Sequence, residues 1–157
     1  ARIIRAMPNT PGAIGHGISG LFAARGTTAA DKRKATALLA ALGETVWVAK
    51  EDLIDSVTAL SGSGPAYLFL MAEAMTEAGI AEGLPRDQAE KLARATVAGA
   101  GALLALDKSP ASALRQAVTS PGGTTEAALK ILMAGDGLTD LMKRAIRAAR
   151  IRAEELR

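Results

Sequence analysis

The chain has 157 residues, of which 49% are hydrophobic and only 3% aromatic, a length that suits one domain, or one domain with a remnant of another. It has no cysteine, which excludes thiol catalysis, zinc–thiolate sites and disulfides and is compatible with a reducing cytoplasm. The net charge is +3 and the pI about 9.5, but one Trp, one Tyr and two Phe offer little for bases to stack on, which disfavours a nucleic-acid-binding protein.

The chain also lacks the patterns of a membrane or secreted protein. No apolar run approaches the roughly 18 residues of a membrane span, and the start does not have the pattern of a signal peptide. We therefore expect no membrane partner. Because Ala1 begins inside a strand-like pattern, we expect the chain to be part of a longer protein.

The first fifty residues are typical of the end of an α/β domain. Residues 2–7 form a short β-prone run that a Pro/Gly-rich turn ends, and residues 17–23 and 45–49 are two further candidate strands. Between the last two, Thr28 can cap a helix that Gly43 can close in left-handed geometry. The apolar stripe of that helix comprises Ala35, Leu38, Leu39 and Leu42.

From Glu51 onward the patterns predict only helices. A short helix over residues 52–60 is broken by a Ser-Gly-Ser-Gly run, and Pro65 then suits the first turn of a helix that reaches Gly83. That helix is apolar on nearly all sides, so we expect it to be central and buried.

A longer helix follows, from Pro85 to about Leu106. The glycines in its stretch 98–102 predict a tight crossing with another helix, since they cost roughly 1 kcal/mol each in helix propensity. Further helices are predicted from Ser109, over residues 125–134, and from Leu138 to the end. Two long alanine-rich helices exceed what one core needs, so we expect a second chain to complete the core.

The segment most informative about function is VTSPGGTTE, residues 118–126. Pro121 prevents the preceding helix from continuing, the two glycines expose bare amides, and the threonines enter a helix whose first N–H groups lack internal partners. Such a helix start can seat a small anion, a carboxylate or a phosphate. The alternative on these residues alone is an ordinary capped turn.

Other motifs are less specific. The run SGSGPAY at residues 61–67 could cradle a ligand or only let two helices cross. A literal G-x-G-x-x-G at residues 15–20 follows a turn and lacks a helix behind it, so we predict a turn leading into a strand and not a dinucleotide fingerprint. His16 has no His or Cys partner, and we expect no metal site.

Together these segments resemble one family. The motifs MPNTP at 7–11, VTALSGSGPAY at 57–67, GLPR at 83–86 and VTSPGGTT at 118–125 occur in the order and at the spacing of pyrroline-5-carboxylate reductases. The resemblance covers the whole chain, although residues 110–114 are one residue longer than usual. It implies an oxidoreductase that reduces 1-pyrroline-5-carboxylate to proline, in proline biosynthesis, by hydride transfer from NADPH or NADH.

The resemblance also implies a mainly α fold with two parts. Residues 1–50 would be the C-terminal remnant of a Rossmann-type dinucleotide-binding domain, a few strands and one helix. Residues 51–157 would be an all-helical dimerisation and substrate domain, which forms a homodimer, with assembly beyond the dimer left open. Most of the cofactor site is missing from these residues, so we expect the chain alone to be inactive.

The family's site residues carry over one by one. The substrate carboxylate would sit on the amides of Gly122, Gly123 and Thr124, with help from the Ser120 hydroxyl. The hydroxyl of Thr125, the catalytic residue, would face the ring nitrogen. Asn9 would lie near the nicotinamide end of the cofactor. The main rival hypothesis is a helical dimerisation or scaffold module without catalytic activity.

Overall fold

A computed structural model describes all 157 residues, which form three strands and seven α-helices. They fall into two compact units. We call Ala1–Tyr67 together with Arg144–Arg157 the sheet unit, and Leu68–Lys143 the helical unit. A mainly helical chain that begins with a small sheet confirms the predicted fold class.

The sheet has the order β1-β2-β3. Strand β1 (Ile4–Met7) pairs antiparallel with β2 (Gly17–Ala23), and β2 pairs parallel with β3 (Gly43–Trp47). Helix α1 (Ala29–Leu39) makes the crossover between the two parallel strands. A parallel pair with an antiparallel edge strand is common in α/β folds, as the order of predicted elements indicated.

Thr28 caps α1 as predicted. Its hydroxyl accepts a hydrogen bond from the Asp31 N–H, and the Asp31 carboxylate accepts from the Thr28 N–H in return, which completes a capping box. The bonds from the Thr28 amide and hydroxyl hold the pKa of the Asp31 carboxyl below its ordinary value.

Two details predicted for this helix are wrong. Leu38 is 78% exposed, so it does not share the half-buried face that Ala35, Leu39 and Leu42 form. Gly43 does not close the helix in left-handed geometry. It has φ 128° and ψ −141° and starts β3, where a Cβ would lie 2.1 Å from the Gly17 carbonyl oxygen.

The core of the sheet unit lies between the sheet and helix α2 (Leu53–Val57). Leu21 of β2 and Ile54 of α2 are fully buried. The helix approaches so closely that a Cβ on Gly20 would lie 2.5 Å from the Val57 side chain. Tight packing of this kind explains why the short helix belongs with the strands.

The end of the last helix also belongs to the sheet unit. Arg157 Nη2 lies 2.7 Å from Oδ2 of the buried Asp55 carboxylate, although no N–H points directly at that oxygen. The two compact units therefore do not follow the expected division into residues 1–50 and 51–157, because packing and an ion pair tie later segments to the sheet. That division stays a prediction about the longer protein.

Five helices contribute to the helical unit or border it. Helix α3 begins in the sheet unit, directly after a π-helical turn at Thr58–Gly62, and α7 ends there. The bounds are α3 Gly64–Ala81, α4 Arg86–Leu106, α5 Ala111–Ala117, α6 Thr124–Leu132 and α7 Leu138–Glu155. None of these helices, nor α1 or α2, combines the length and apolar composition needed to cross a membrane.

Helices α3 and α4 cross closely at one point, but not where the sequence predicted. A Cβ on Gly79 would lie 3.3 Å from the Ala89 Cβ. By contrast, a Cβ on Gly99 or Gly101 would meet no atom within 4 Å. The predicted crossing at residues 98–102 is therefore wrong for the single chain, because none of its other helices reaches that stretch.

The expectation that α3 is buried is also wrong for the single chain. Phe69 and Leu70 are each 63% exposed, and Thr76 is the only buried residue of this helix. The accessible surface of the chain is 10961 Å², whereas the scaling of surface with mass gives about 7,400 Å² for a folded monomer of this mass. The apolar faces of the long helices are not covered by the rest of the chain.

The contact between β2 and β3 generates a prediction for stability. Gly43→Ala places a Cβ against the Gly17 carbonyl, so we expect the free energy of unfolding to fall by about 3 kcal/mol or more. Gly26 is the matched control, since it also has positive φ but no atom within 4 Å of a Cβ, and Gly26→Ala should cost only about 1 kcal/mol. Urea unfolding of both variants measures the difference. Equal losses would contradict the steric explanation.

Candidate functional site

Residues 120–125, which we call the SPGGTT turn, connect α5 to α6. The turn begins where the Thr119 hydroxyl donates to the Arg115 carbonyl at 2.6 Å, near the end of α5. Gly122 has φ 72°, in the left-handed region, and Gly123 is extended and precedes the first residue of α6. The two glycines therefore reverse the chain and present the start of α6, as the sequence predicted.

The structure brings the five predicted substrate-binding residues together in this turn. Gly123 permits the closest approach, since a Cβ there would lie 2.5 Å from the Ser120 hydroxyl oxygen. The Ser120 hydroxyl is thus held against the turn backbone. Thr125 is half-buried in the first turn of α6.

The amides of the turn are not all free, however. The Gly122 N–H donates to the Glu126 carboxylate at 2.7 Å, and the Gly123 N–H donates to the Ser120 carbonyl at 3.0 Å. The N–H groups of Thr124, Thr125 and Glu126, at the start of α6, have no acceptor within the chain. The available donors therefore lie two residues further along than the predicted set of Gly122, Gly123 and Thr124.

Glu126 is the residue of this site that sequence reasoning missed. It occupies the third position of α6, and its carboxylate reaches back past the cap residue to Gly122. The charged neighbour of Glu126 is Lys130, whose Nζ lies 3.9 Å from the same carboxylate. A signal was present, because Glu at the third helical position is the acidic half of a capping box.

Asn9 lies in the sheet unit and has a structural role there. Its Oδ1 accepts from the Ile18 N–H at 3.0 Å, and its Nδ2 donates to the Ser61 carbonyl at 3.2 Å. The side chain therefore ties the turn after β1 both to β2 and to the π-helical turn. One N–H of the amide remains for a ligand, and the predicted contact with a nicotinamide stays a prediction.

The SGSG run forms part of the π-helical turn and of the start of α3. The Ser63 N–H donates to the Thr58 carbonyl, five residues back, at 2.8 Å. Side chains satisfy two further carbonyls of this region, since Ser61 donates to the Val57 carbonyl and Tyr67 to the Ala59 carbonyl. The run thus does not end the helical path, and the Ser61 hydroxyl and the Ser63 N–H bond within the chain.

The literal G-x-G-x-x-G leads into a strand, as predicted. Gly17 and Gly20 both lie in β2, and they are required by close packing. A Cβ on Gly17 would lie 2.7 Å from the Gly12 backbone, and one on Gly20 would meet Val57. The pattern does not form the strand–turn–helix that holds a dinucleotide pyrophosphate, so this segment does not fit that role.

The chain is similar to proteins of known activity. The family model for pyrroline-5-carboxylate reductase dimerisation matches residues 51–156. The chain is 45% identical over 154 residues to the pyrroline-5-carboxylate reductase of Pseudomonas aeruginosa, covering 98% of this chain and 56% of the relative. It is 41% identical to the reductase of Mycobacterium leprae, covering 99% and 58%. It thus spans little more than half the length of these relatives.

Solved structures show the same similarity. A pyrroline-5-carboxylate reductase from Coxiella burnetii matches with a TM-score of 0.93 and 46% identity, over 99% of this chain and 57% of that one. A Plasmodium falciparum pyrroline carboxylate reductase, solved with NADP bound, matches with a TM-score of 0.81 and 28% identity, over 98% and 58%.

The bonds of Asn9 generate a second prediction. Asn9→Ala leaves the Ile18 N–H and the Ser61 carbonyl without partners, so we expect the free energy of unfolding to fall by about 1–3 kcal/mol. Hydrogen exchange at the Ile18 amide should accelerate as well. Thr27→Ala, which removes one exposed bond to the Ile3 carbonyl, is the control and should change stability by less than about 0.5 kcal/mol. A normal exchange rate at Ile18 would show that the bond does not matter.

Proposed function

The chain belongs to the pyrroline-5-carboxylate reductase family, and we propose that it forms the C-terminal part of an enzyme that reduces 1-pyrroline-5-carboxylate to proline. The observation that supports this most directly is the SPGGTT turn, which offers free N–H groups and hydroxyls at the start of α6. Helix starts of this kind bind carboxylates and phosphates. The substrate is a small carboxylate, so the turn suits it.

In this proposal the substrate carboxylate accepts hydrogen bonds from the Thr124 and Thr125 N–H groups and from the Ser120 hydroxyl. Gly122 and Gly123 contribute through their conformation, because their own N–H groups are engaged within the turn. The positive end of the α6 dipole adds a favourable term of about 0.3–1 kcal/mol. The turn thereby fixes one end of the substrate.

The Thr125 hydroxyl then orients the ring nitrogen. Reduction of a protonated cyclic imine adds a hydride to the carbon of the C=N bond, and the nitrogen keeps its proton and becomes the amine of proline. A reduced nicotinamide, NADPH or NADH, supplies that hydride when bound. No strong acid is needed, since the protonated imine is already electrophilic, so the residues of this chain mainly align the substrate. Thr125 accordingly serves as an orienting catalytic residue.

Most of the cofactor site would come from residues that precede this chain in the longer protein. Asn9 has one free N–H to offer to the nicotinamide end, while the rest of its amide supports the fold. We propose on this ground that the chain alone is inactive. A role in proline biosynthesis in the cytoplasm goes with the proposed reaction.

We further propose that a second copy of the chain covers the exposed faces of α3 and α4. The exposed surface exceeds the scaling value by about 3,600 Å² per chain, which is more than the roughly 1,000–2,500 Å² per partner that a large obligate interface buries. Phe69 and Leu70 supply apolar side chains, and the open space around Gly99 and Gly101 admits the backbone of a partner helix. The scaffold hypothesis shares this dimer but leaves the free donors of the SPGGTT turn without a use.

The catalytic proposal is tested with the chain joined to its upstream segment. We expect pyrroline-5-carboxylate to be reduced, followed as oxidation of NADPH or NADH, and the 157-residue chain alone to be inactive. Thr125→Ala should lower kcat/KM by about tenfold or more, since one aligned hydrogen bond is worth about 1.4 kcal/mol. Thr125→Ser, which keeps the hydroxyl, should retain most activity. Unchanged kinetics in Thr125→Ala would remove this residue from the site.

The dimer is tested by light scattering at micromolar concentration. Wild type should have twice the mass of one chain. Leu70→Glu should shift the protein toward monomer, because two copies of the charge would be buried without partners. Leu38→Glu, on a more exposed position of α1, should remain dimeric. A monomeric wild type would refute the proposed interface.

A further inference from the structure

Glu126 places a negative charge beside the turn that, in the proposed function, binds the negatively charged carboxylate of the substrate. Its Oε2 lies 2.7 Å from the Gly122 nitrogen, two residues from the free N–H of Thr124. The side chain is 39% exposed, and that of Lys130, the cation beside it, is 74% exposed. Lys130 is therefore well hydrated, and its charge offsets that of Glu126 only in part.

This arrangement distinguishes between classes of anion. A simple carboxylate or a sulfate gains the hydrogen bonds of the turn but is repelled by the fixed charge of Glu126. A molecule that carries both a carboxylate and a cationic nitrogen gains the same bonds, and its nitrogen is attracted to Glu126. In a partly exposed site, one such neighbouring charge changes affinity by roughly threefold to tenfold.

We propose that Glu126 is a specificity-determining residue that makes the SPGGTT turn select zwitterionic imino acids over simple anions. The proposal rests on the function proposed above, and it adds a residue that does not itself hold the carboxylate. Capping alone does not require the charge, because a glutamine at this position could also accept the Gly122 N–H bond. Glu126→Gln therefore separates the charge from the cap.

The test is a pair of ligands of equal size, L-proline and cyclopentanecarboxylate, which differ in whether a cationic nitrogen accompanies the carboxylate. Each is titrated into the 157-residue chain while the amide NMR signals of residues 122–126 are followed. Wild type should bind L-proline more tightly. Glu126→Gln should reduce the ratio of the two affinities by roughly threefold to tenfold, with the Gly122 signal showing that the turn is intact.

The control is Glu82→Gln, the same change of charge at an exposed residue beyond the end of α3, which should leave the ratio unchanged. If both ligands bind but Glu126→Gln leaves their ratio as in wild type, the selectivity role is overturned while the carboxylate site stands. If neither ligand shifts the signals of residues 122–125, the carboxylate site itself is refuted, and the role of Glu126 with it.

Discussion

The apolar faces of α3 and α4 have no partner within the chain, and the composition of the long helices reflects this lack of cover. Burial of apolar surface is the main favourable term in folding, at about 25 cal/mol per Å², so helices that leave Phe69 and Leu70 in water lose most of that term. The composition of these helices is consistent with burial of their apolar faces against another chain. Alanine and glycine line the long helices, and small residues allow another helix to approach closely. The open space around Gly99 and Gly101 has the same explanation.

In the sheet unit, by contrast, the elements are short and lie very close together. Glycines remove side chains where strands and helix would collide, at the Gly17–Gly43 pair and at Gly20 against Val57. These glycines explain why one of the two parallel strands was predicted correctly and the other was misplaced. The bounds of β2 were predicted from its β-prone run, but β3 was placed two residues late, because Gly43 was interpreted as the end of the helix and not as the first residue of the strand. Periodicity does not distinguish these uses of glycine, since both require positive φ.

At the candidate site, residue types were predictable and hydrogen-bond partners were not. Pro121, two glycines and two threonines indicate a turn that opens a helix, and the structure has that turn. Which N–H groups remain free depends on the left-handed conformation of Gly122, which points its amide at Glu126. A three-dimensional relation of this kind has no signature beyond the capping-box spacing. The same holds for Asn9, whose motif suggested a ligand contact although its side chain bonds mainly to Ile18 and Ser61.

The two glycine- and serine-rich motifs of the chain therefore differ in what they leave unsatisfied. At the π-helical turn, the side chains of Asn9, Ser61 and Tyr67 each donate a hydrogen bond to a backbone carbonyl. At the SPGGTT turn, the first three N–H groups of α6 have no acceptor within the chain. Thr124 is exposed and Thr125 half-buried, so water or a ligand can satisfy these donors. The SPGGTT turn, whose helix-start donors stay open, is thus the better candidate for binding, whereas the bonds of Asn9, Ser61 and Tyr67 fix the π-helical turn before α3.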